Sequence, residues 1–249
     1  QWRNSMKDIL QDIVAHTHSL GFLSIVKVSG ENETTIDSMA EDRSVILSAT
    51  TNHKIADGTF GMPNLEKLAL HLKNPEYQKD AKIEVVQADR NGETIPTHIH
   101  FENNAGDFQN DYRFMNKAII EEKLKTVKFK GASWNVSINP SIGAIGRMKL
   151  QSAAHSEEPT FNVTTAETGG VTDLVFSFGD ASTHAGKFVF EAAVEGNLAH
   201  TWSWPVSQVQ AILGLSGDKT MSISDQGAMQ ISVDSGMATY DYILPAQSK

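Results

Sequence analysis

"WNVSINPSIGAIGRMKLQSAAH", residues 134–155, lies in the middle of the chain and reads like a beginning. WNVSINP (134–140) has the alternation of a short strand. Asn139-Pro140 then opens a helical stretch, SIGAIGRMKLQSAAH, with Ile142 and Ile145 expected on one side of it. Four strand-like runs follow: TFNVTTA, TDLVFSF, GKFVFEAA and LAHTWSW. A second helix opened by proline, PVSQVQAILGL, comes next. The chain closes with KTMSISD, AMQISVD and MATYDYIL, three strands joined by Gln226-Gly227 and Ser235-Gly236 turns.

The first half follows the same order. RNSMKDILQDIVAHTHS (3–19) places Met6, Ile9, Leu10 and Ile13 on one helical face. Strands are expected at FLSIVKV (22–28), TTIDSMA (34–40) and RSVILSATT (43–51). PNLEKLALHLKN carries the stripe Leu65, Leu68, Ala69, Leu72 behind Pro63. AKIEVVQA (81–88) and THIHFEN (97–103) flank the hairpin signal Arg90-Asn91-Gly92, and DYRFMN (111–116) ends the half. The basic segment KAIIEEKLKTVKFKGAS reads as a linker lying extended over the surface. The expectation is an α+β chain with two similar domains, 1–116 and 134–249, and a connector at 117–133.

Composition narrows the function. Lys and Arg number 21 against 30 Asp and Glu, a net charge of −9, so any contact with nucleic acid must come from a local basic face on an acidic body. Cysteine is absent, which excludes disulfides, thiolate metal sites and cysteine nucleophiles and fits a reducing cytosol. No run of about 18 apolar residues is present to span a membrane. The polar opening QWRNSMKDILQD is read as lacking a signal peptide, and its non-Met start as processed or trimmed. P-loop, GxGxxG, HExxH and GxSxG motifs are missing, so an enzyme is not expected. His98 and His100 alternate on a strand and share a face. They are read as polar surface groups rather than metal ligands, and no metal or cofactor is expected.

The polar faces of the four expected helices carry the informative signal. Arg3 and Lys7 are four apart on the first helix, as are Lys67 and His71 on the second, where Lys73 stands close by. On the third, Gly143, Arg147 and Gln151 form one row with Lys149 beside it, and Gly143 would let another surface approach. The fourth offers Ser207, Gln208 and Gln210 but no cation. Asp8 and Asp12 must point away if these faces form a positive lining.

Several stretches together resemble DNA sliding clamps of the PCNA type. SMKDILQDIVAHTHSLGFLSIVKV is similar to that family's first helix and following strand. TTIDSMAEDRSVILSAT is similar to its Ser-Met-acidic turn between strands, and NLEKLALHL to its second helix. DYRFMN followed by WNVSINPSIGAIGRMKL resembles the crossing into the second domain, and KTMSISDQGAMQISVDSGMATYDYILPA the closing strands. Two features depart from the family: its first strand is reduced to Gln1-Trp2-Arg3, and the connector is basic at Lys117, Lys123, Lys125, Lys128 and Lys130. A phage or viral member acting in the host cytoplasm is the expected source.

The resemblance implies a DNA-clamp fold and a homotrimer that closes a ring around duplex DNA. It implies a processivity factor that tethers a DNA polymerase, is opened by a clamp loader and performs no chemistry. Sequence-independent DNA contacts would fall to Arg3, Lys7, Lys67, Lys73, Arg147 and Lys149. A partner-peptide pocket would use Met39, Ile119, Ile120, Leu124, Tyr242, Leu244 and Pro245. Subunits would meet through strands near 109–116 and 186–193, with Phe108, Tyr112, Phe188 and Phe190 packing there. Two other readings stay open: a monomeric clamp-like subunit that holds DNA on one face, and a β-rich viral structural ring protein.

Overall fold

The protein, known from a computed structural model, is described over residues 5–125 and 129–247. It divides into two compact units. One comprises the chain up to residue 127 with Ser235–Tyr240, the other 128–234 with 241–249.

The first unit opens with α1 (Met6–Ala15), whose start is held by a capping box. The Asp8 N–H donates to Ser5 Oγ (3.2 Å), and the Ser5 N–H donates to the Asp8 carboxylate (2.9 Å). Asp8 is thereby spent on the helix terminus. Ile9, Leu10, Ile13 and Val14 are buried, as the 3–4 spacing demands. Strands β1 (Val26–Gly30), β2 (Thr34–Met39), β3 (Ile46–Thr51) and β4 (Gly58–Met62) follow, antiparallel in the order β4-β1-β2-β3. The sequence reading lacks β4, because GTFGM has two glycines in five residues and little alternation. Helix α2 (Leu65–Lys73) buries Leu65, Leu68, Ala69 and Leu72 and packs beside α1. Strands β5 (Lys82–Arg90), β6 (Glu93–Glu102) and β7 (Gln109–Arg113) make a second antiparallel sheet. Asn91 (φ 51°) and Gly92 (φ 78°) supply the paired left-handed conformations of a tight hairpin between β5 and β6.

The expected extended linker is corrected at its start. Lys117–Lys123 forms a fifth helix, α3, capped by Asn116, whose side chain accepts from the Ile119 N–H at 2.9 Å. Its Ile120 is fully buried against β4 at Gly61, where a Cβ would come within 2.9 Å of the Ile120 side chain. Gly61 is the small residue that lets this helix dock.

The second unit repeats the programme. A short strand β8 (Val136–Ile138) precedes α4 (Ile142–Ala154), which is capped by Ser141. Then come β9 (Thr160–Thr168), β10 (Val171–Phe178), β11 (Gly186–Glu191) and β12 (Trp202–Pro205). Helix α5 (Val206–Leu213) leads into β13 (Asp218–Ser224), β14 (Ala228–Asp234) and β15 (Thr239–Pro245). The strand orders are β12-β9-β10-β11 and β8-β13-β14-β15. The first of these matches β4-β1-β2-β3 element for element. The counterpart of β8 would be Gln1-Trp2-Arg3, outside the described residues. Phe161, Phe176, Phe178, Phe188 and Phe190 form a buried aromatic cluster, and Trp204 donates its indole N–H to the Leu244 carbonyl (2.8 Å). The side of α4 that packs inward is not the one carrying Ile142. Ile142 is 91% exposed, and the buried positions are Ala144 and Met148.

The turn before β15 belongs to the first unit; Thr51 Oγ1 donates to its Met237 carbonyl (2.7 Å), and Asp12 holds both of its ends. Its carboxylate accepts from Ser235 Oγ (2.7 Å) and Tyr240 Oη (2.8 Å), while the Tyr240 ring stacks on His16 at 4.1 Å. Replacing Asp12 with Ala removes the acceptor of both bonds. We expect a loss of about 1–3 kcal/mol in the stability of the first unit, read from denaturant unfolding, with Asp12→Asn intermediate.

Candidate functional site: basic helix faces, an apolar groove and two sheet edges

The four helices α1, α2, α4 and α5 carry five cations against three carboxylates in a chain of net charge −9. Two of those carboxylates, Asp8 and Asp12, are already engaged by the cap and by Ser235 and Tyr240. In the first unit Lys7 donates to Gln78 Oε1 (2.8 Å) and to the Tyr77 carbonyl (3.3 Å), so its ammonium is held beside the end of α2. Lys67 and Lys73 are exposed on α2. His71, four residues from Lys67, points inward against Phe101, and burial and then the Lys67 charge push its imidazole below the usual range. In the second unit α4 and α5 have no acidic residue at all. Arg147 and Lys149 are exposed on α4. The Arg147 guanidinium lies 5.4 Å over the Phe188 ring and donates to the Val189 carbonyl. Arg3 lies outside the described residues.

A groove of about 770 Å³ opens in the first unit. Leu23, Ile25, Met39, Leu65, Met115 and Leu124 supply apolar lining, with Glu41, Arg43, Glu66 and Lys123 among the charged groups around it. The Arg43 turn is fixed by a left-handed residue (φ 61°) and by the Ser44 N–H, which donates to Asp42 at 3.0 Å. Of the seven residues expected in a partner pocket, this groove brings together Met39 and Leu124. Ile120 is sealed beneath α3, and Ile119 is 45% exposed on its surface. Tyr242 and Leu244 are fully buried and Pro245 is exposed, all three in the second unit. The reading from sequence missed Leu23 and Ile25, because it assigned 22–28 wholly to a strand that in fact begins at Val26.

Two sheets end in strands that match the expected subunit edges. β7 ends the sheet β5-β6-β7, and β11 ends the sheet β11-β10-β9-β12. The aromatic residues on or near them mostly face inward. Tyr112 is buried, its hydroxyl donates to the Pro63 carbonyl, and burial pushes its phenol up. Phe188 and Phe190 are buried in the aromatic cluster, and Phe108 is 38% exposed beside Tyr77. The exposed side chains of these two strands are mostly polar or charged: Gln109, Asp111 and Arg113 on β7 and Lys187 on β11.

No protein-family model and no curated protein sequence matches the chain. Solved structures do match it. A. fulgidus PCNA, determined with the C-terminal region of FEN-1 bound, superposes with a TM-score of 0.65 at 12% identity, covering 98% of this chain and 95% of that one. PCNA from Thermococcus kodakaraensis gives 0.65 at 10% identity, with 98% of each chain covered. Proliferating Cellular Nuclear Antigen from Entamoeba histolytica gives 0.64 at 10%, covering 97% and 94%. The fold is the PCNA fold. Almost the whole chain takes part in these superpositions.

On this PCNA fold the β5–β7 sheet carries a further polar cluster. Among the described residues no group of three or more potential ligands is arranged to hold a metal ion. His98 and His100 instead share a face with Asp111 of β7. His100 Nδ1 is 2.7 Å and His98 Nε2 3.7 Å from Asp111 Oδ1, and His100 Nε2 is 3.3 Å from Glu102. The bond to Asp111 raises the His100 imidazole above its usual range, and the same bond holds Asp111 below the carboxylate range. A raised histidine stabilises the fold fully below its unfolded pKa and loses that contribution as pH rises through the folded value. His71, with its lowered pKa, works in the opposite sense. His100→Gln should therefore cost more at pH 6 than at pH 8.5. The cost at pH 6 should stay at or below about 1 kcal/mol, because the pair is near the surface. Urea unfolding at the two pH values checks it, and an equal cost at both would remove the linkage.

Proposed function

We propose that the chain is a sliding clamp. Three copies would close a ring around duplex DNA, and the ring would hold a DNA polymerase at its template without doing chemistry itself. The observation that carries this reading is the end-to-end match to PCNA structures, joined to a cation surplus on the helices of an acidic chain. Topological binding needs only weak phosphate contacts that carry no sequence information and weaken with salt. Lys7, Lys67, Lys73, Arg147 and Lys149 have the chemistry for such contacts, and Arg3 is proposed with them. The excess of carboxylates elsewhere would discourage DNA from adhering to the rest of the surface.

Partner peptides would dock at the groove that contains Met39 and Leu124. Methionine adapts to different ligands, and an apolar floor with a charged rim suits a short amphipathic segment. Ile119, exposed on α3, is proposed as a further contact; Tyr242 and Leu244 are buried in the second unit and, with Pro245, are left out of this groove. A clamp loader would be needed to place a closed ring on DNA. A viral origin fits the basic connector, in which Lys117, Lys123, Lys125 and Lys130 are exposed. Among the described residues no helix is long and apolar enough to cross a membrane.

The ring is tested by native mass. The chain is 27.2 kDa, and the assembly should weigh about three times that at micromolar concentration. A monomer at every concentration sinks the ring. The lining is tested separately by reversing two charges, Arg147→Glu with Lys149→Glu. If the assembly survives, DNA retention should fall, and the slope of log affinity against log salt should shrink by about one per lost phosphate contact.

A further inference from the structure

α4 and β11 meet in a way that the proposed DNA contacts do not require. β11 is the last strand of its sheet, so one row of its backbone groups has no strand partner. The carbonyls of Lys187 and Val189, two residues apart, point to the same side. Both accept from α4: Gln151 Nε2 donates to Lys187 O at 3.2 Å, and Arg147 Nη1 to Val189 O at 3.2 Å. The two donors are four residues apart on the helix. Four helical residues rise about 6 Å, and two strand residues advance about 6.6 Å, so the row stays in step with every second carbonyl. Gly186 makes this approach possible. A Cβ there would stand 2.5 Å from His155 Nε2 and 3.1 Å from Gln151 Oε1. Gly143, the next position up the row, has no side chain, and the row of donors ends at Arg147.

We propose that Arg147 and Gln151 are a releasable latch on the β11 edge, and that a strand of a second copy of this chain displaces them. The proposal rests on the ring reading and names a control within it. In the free subunit the two side chains satisfy the carbonyls that an added strand needs, which guards the edge against indiscriminate pairing. The occupant is β7 of the second copy. It ends its own sheet, its five residues suit the six of β11, and each strand carries charges of both signs: Asp111 and Arg113 on β7, Lys187 and Glu191 on β11. When its N–H groups take the carbonyls, the Arg147 guanidinium is freed for an anion. Closing the edge and charging the helix face would then be one event.

The test is a dilution series by analytical ultracentrifugation on the full chain. Arg147→Met keeps an apolar stem over Phe188 without the donor, and Gln151→Met removes the amide. The double variant R147M/Q151M should self-associate about tenfold more tightly than the wild type, because association no longer breaks two capping bonds. Gln151→Met alone should give about threefold, and it replaces the double variant if that one fails to fold. A wild type that associates with variants no tighter, or weaker, overturns the latch and leaves the ring standing. A monomeric wild type whose variant associates sinks the ring of the native chain and leaves Arg147 and Gln151 as guards of the β11 edge. Wild type and variants that all stay monomeric overturn both.

Discussion

Each helix of this protein buries one stripe against a sheet, and what remains exposed is therefore fixed by what must be buried. On α1 the stripe Ile9, Leu10, Ile13, Val14 goes inward, and on α2 Leu65, Leu68, Ala69, Leu72. Burying a side chain of that size stabilises by roughly 1.5–3 kcal/mol, far more than an exposed ion pair returns. Packing sets the rotation of each helix, and the charges follow. The cations of α2 and α4 lie on the exposed side for that reason, whatever they bind. The carboxylates are handled separately: Asp8 by the cap and Asp12 by the turn at Ser235–Tyr240.

The same constraint explains what could be read from the residues. α1, α2 and the strand triplets β5–β7 and β13–β15 were legible because periodicity, hairpin glycines and prolines agreed there. α4 was harder. Ile142 and Ile145 are placed on one side by their spacing, which does not say which side is buried: Ile142 stands in the first turn and is exposed, while the small Ala144 and the flexible Met148 face inward. A helix with Gly143 and Gly146 has too weak an apolar stripe for its rotation to be read from period alone. β4 was hidden by its glycines, and one of them, Gly61, is there to admit Ile120. That pairing joins residues 59 apart in sequence, and local pattern cannot report it. For the same reason α3 looked like an extended linker: its helix is stabilised by the Asn116 cap and by Gly61.

The candidate site was legible in its chemistry and less so in its geometry. Lys67, Lys73 and Lys149 lie exposed on helices, as the spacing predicts. Arg147 does too, but its guanidinium is held by a backbone carbonyl of β11, a contact between residues 42 apart that no spacing rule contains. The groove shows the opposite balance. Met39 and Leu124 are named from a resemblance, whereas Leu23, Ile25, Leu65 and Met115 come from three different segments that only the fold assembles. Apolar residues at the ends of strands and the starts of helices look like ordinary core in a sequence, since the signal of a groove is the missing neighbour.

Two edge strands with inward aromatics impose a further condition on any assembly. Tyr112, Phe188 and Phe190 stabilise the units they belong to, and little of their surface is left for a partner. A contact through β7 or β11 would then draw its specificity from backbone hydrogen bonds and from the charges of Asp111, Arg113, Lys187 and Glu191. Such contacts add little burial, so their strength depends on how well the edge groups are already satisfied before association. Backbone carbonyls occupied by Arg147 and Gln151 lower the gain from pairing, and the ionisation of His100 alters the charge balance around Asp111 on β7. Association through these edges would thus be governed by side chains that flank the strands, and a change of salt or pH would act on them before it acts on the core.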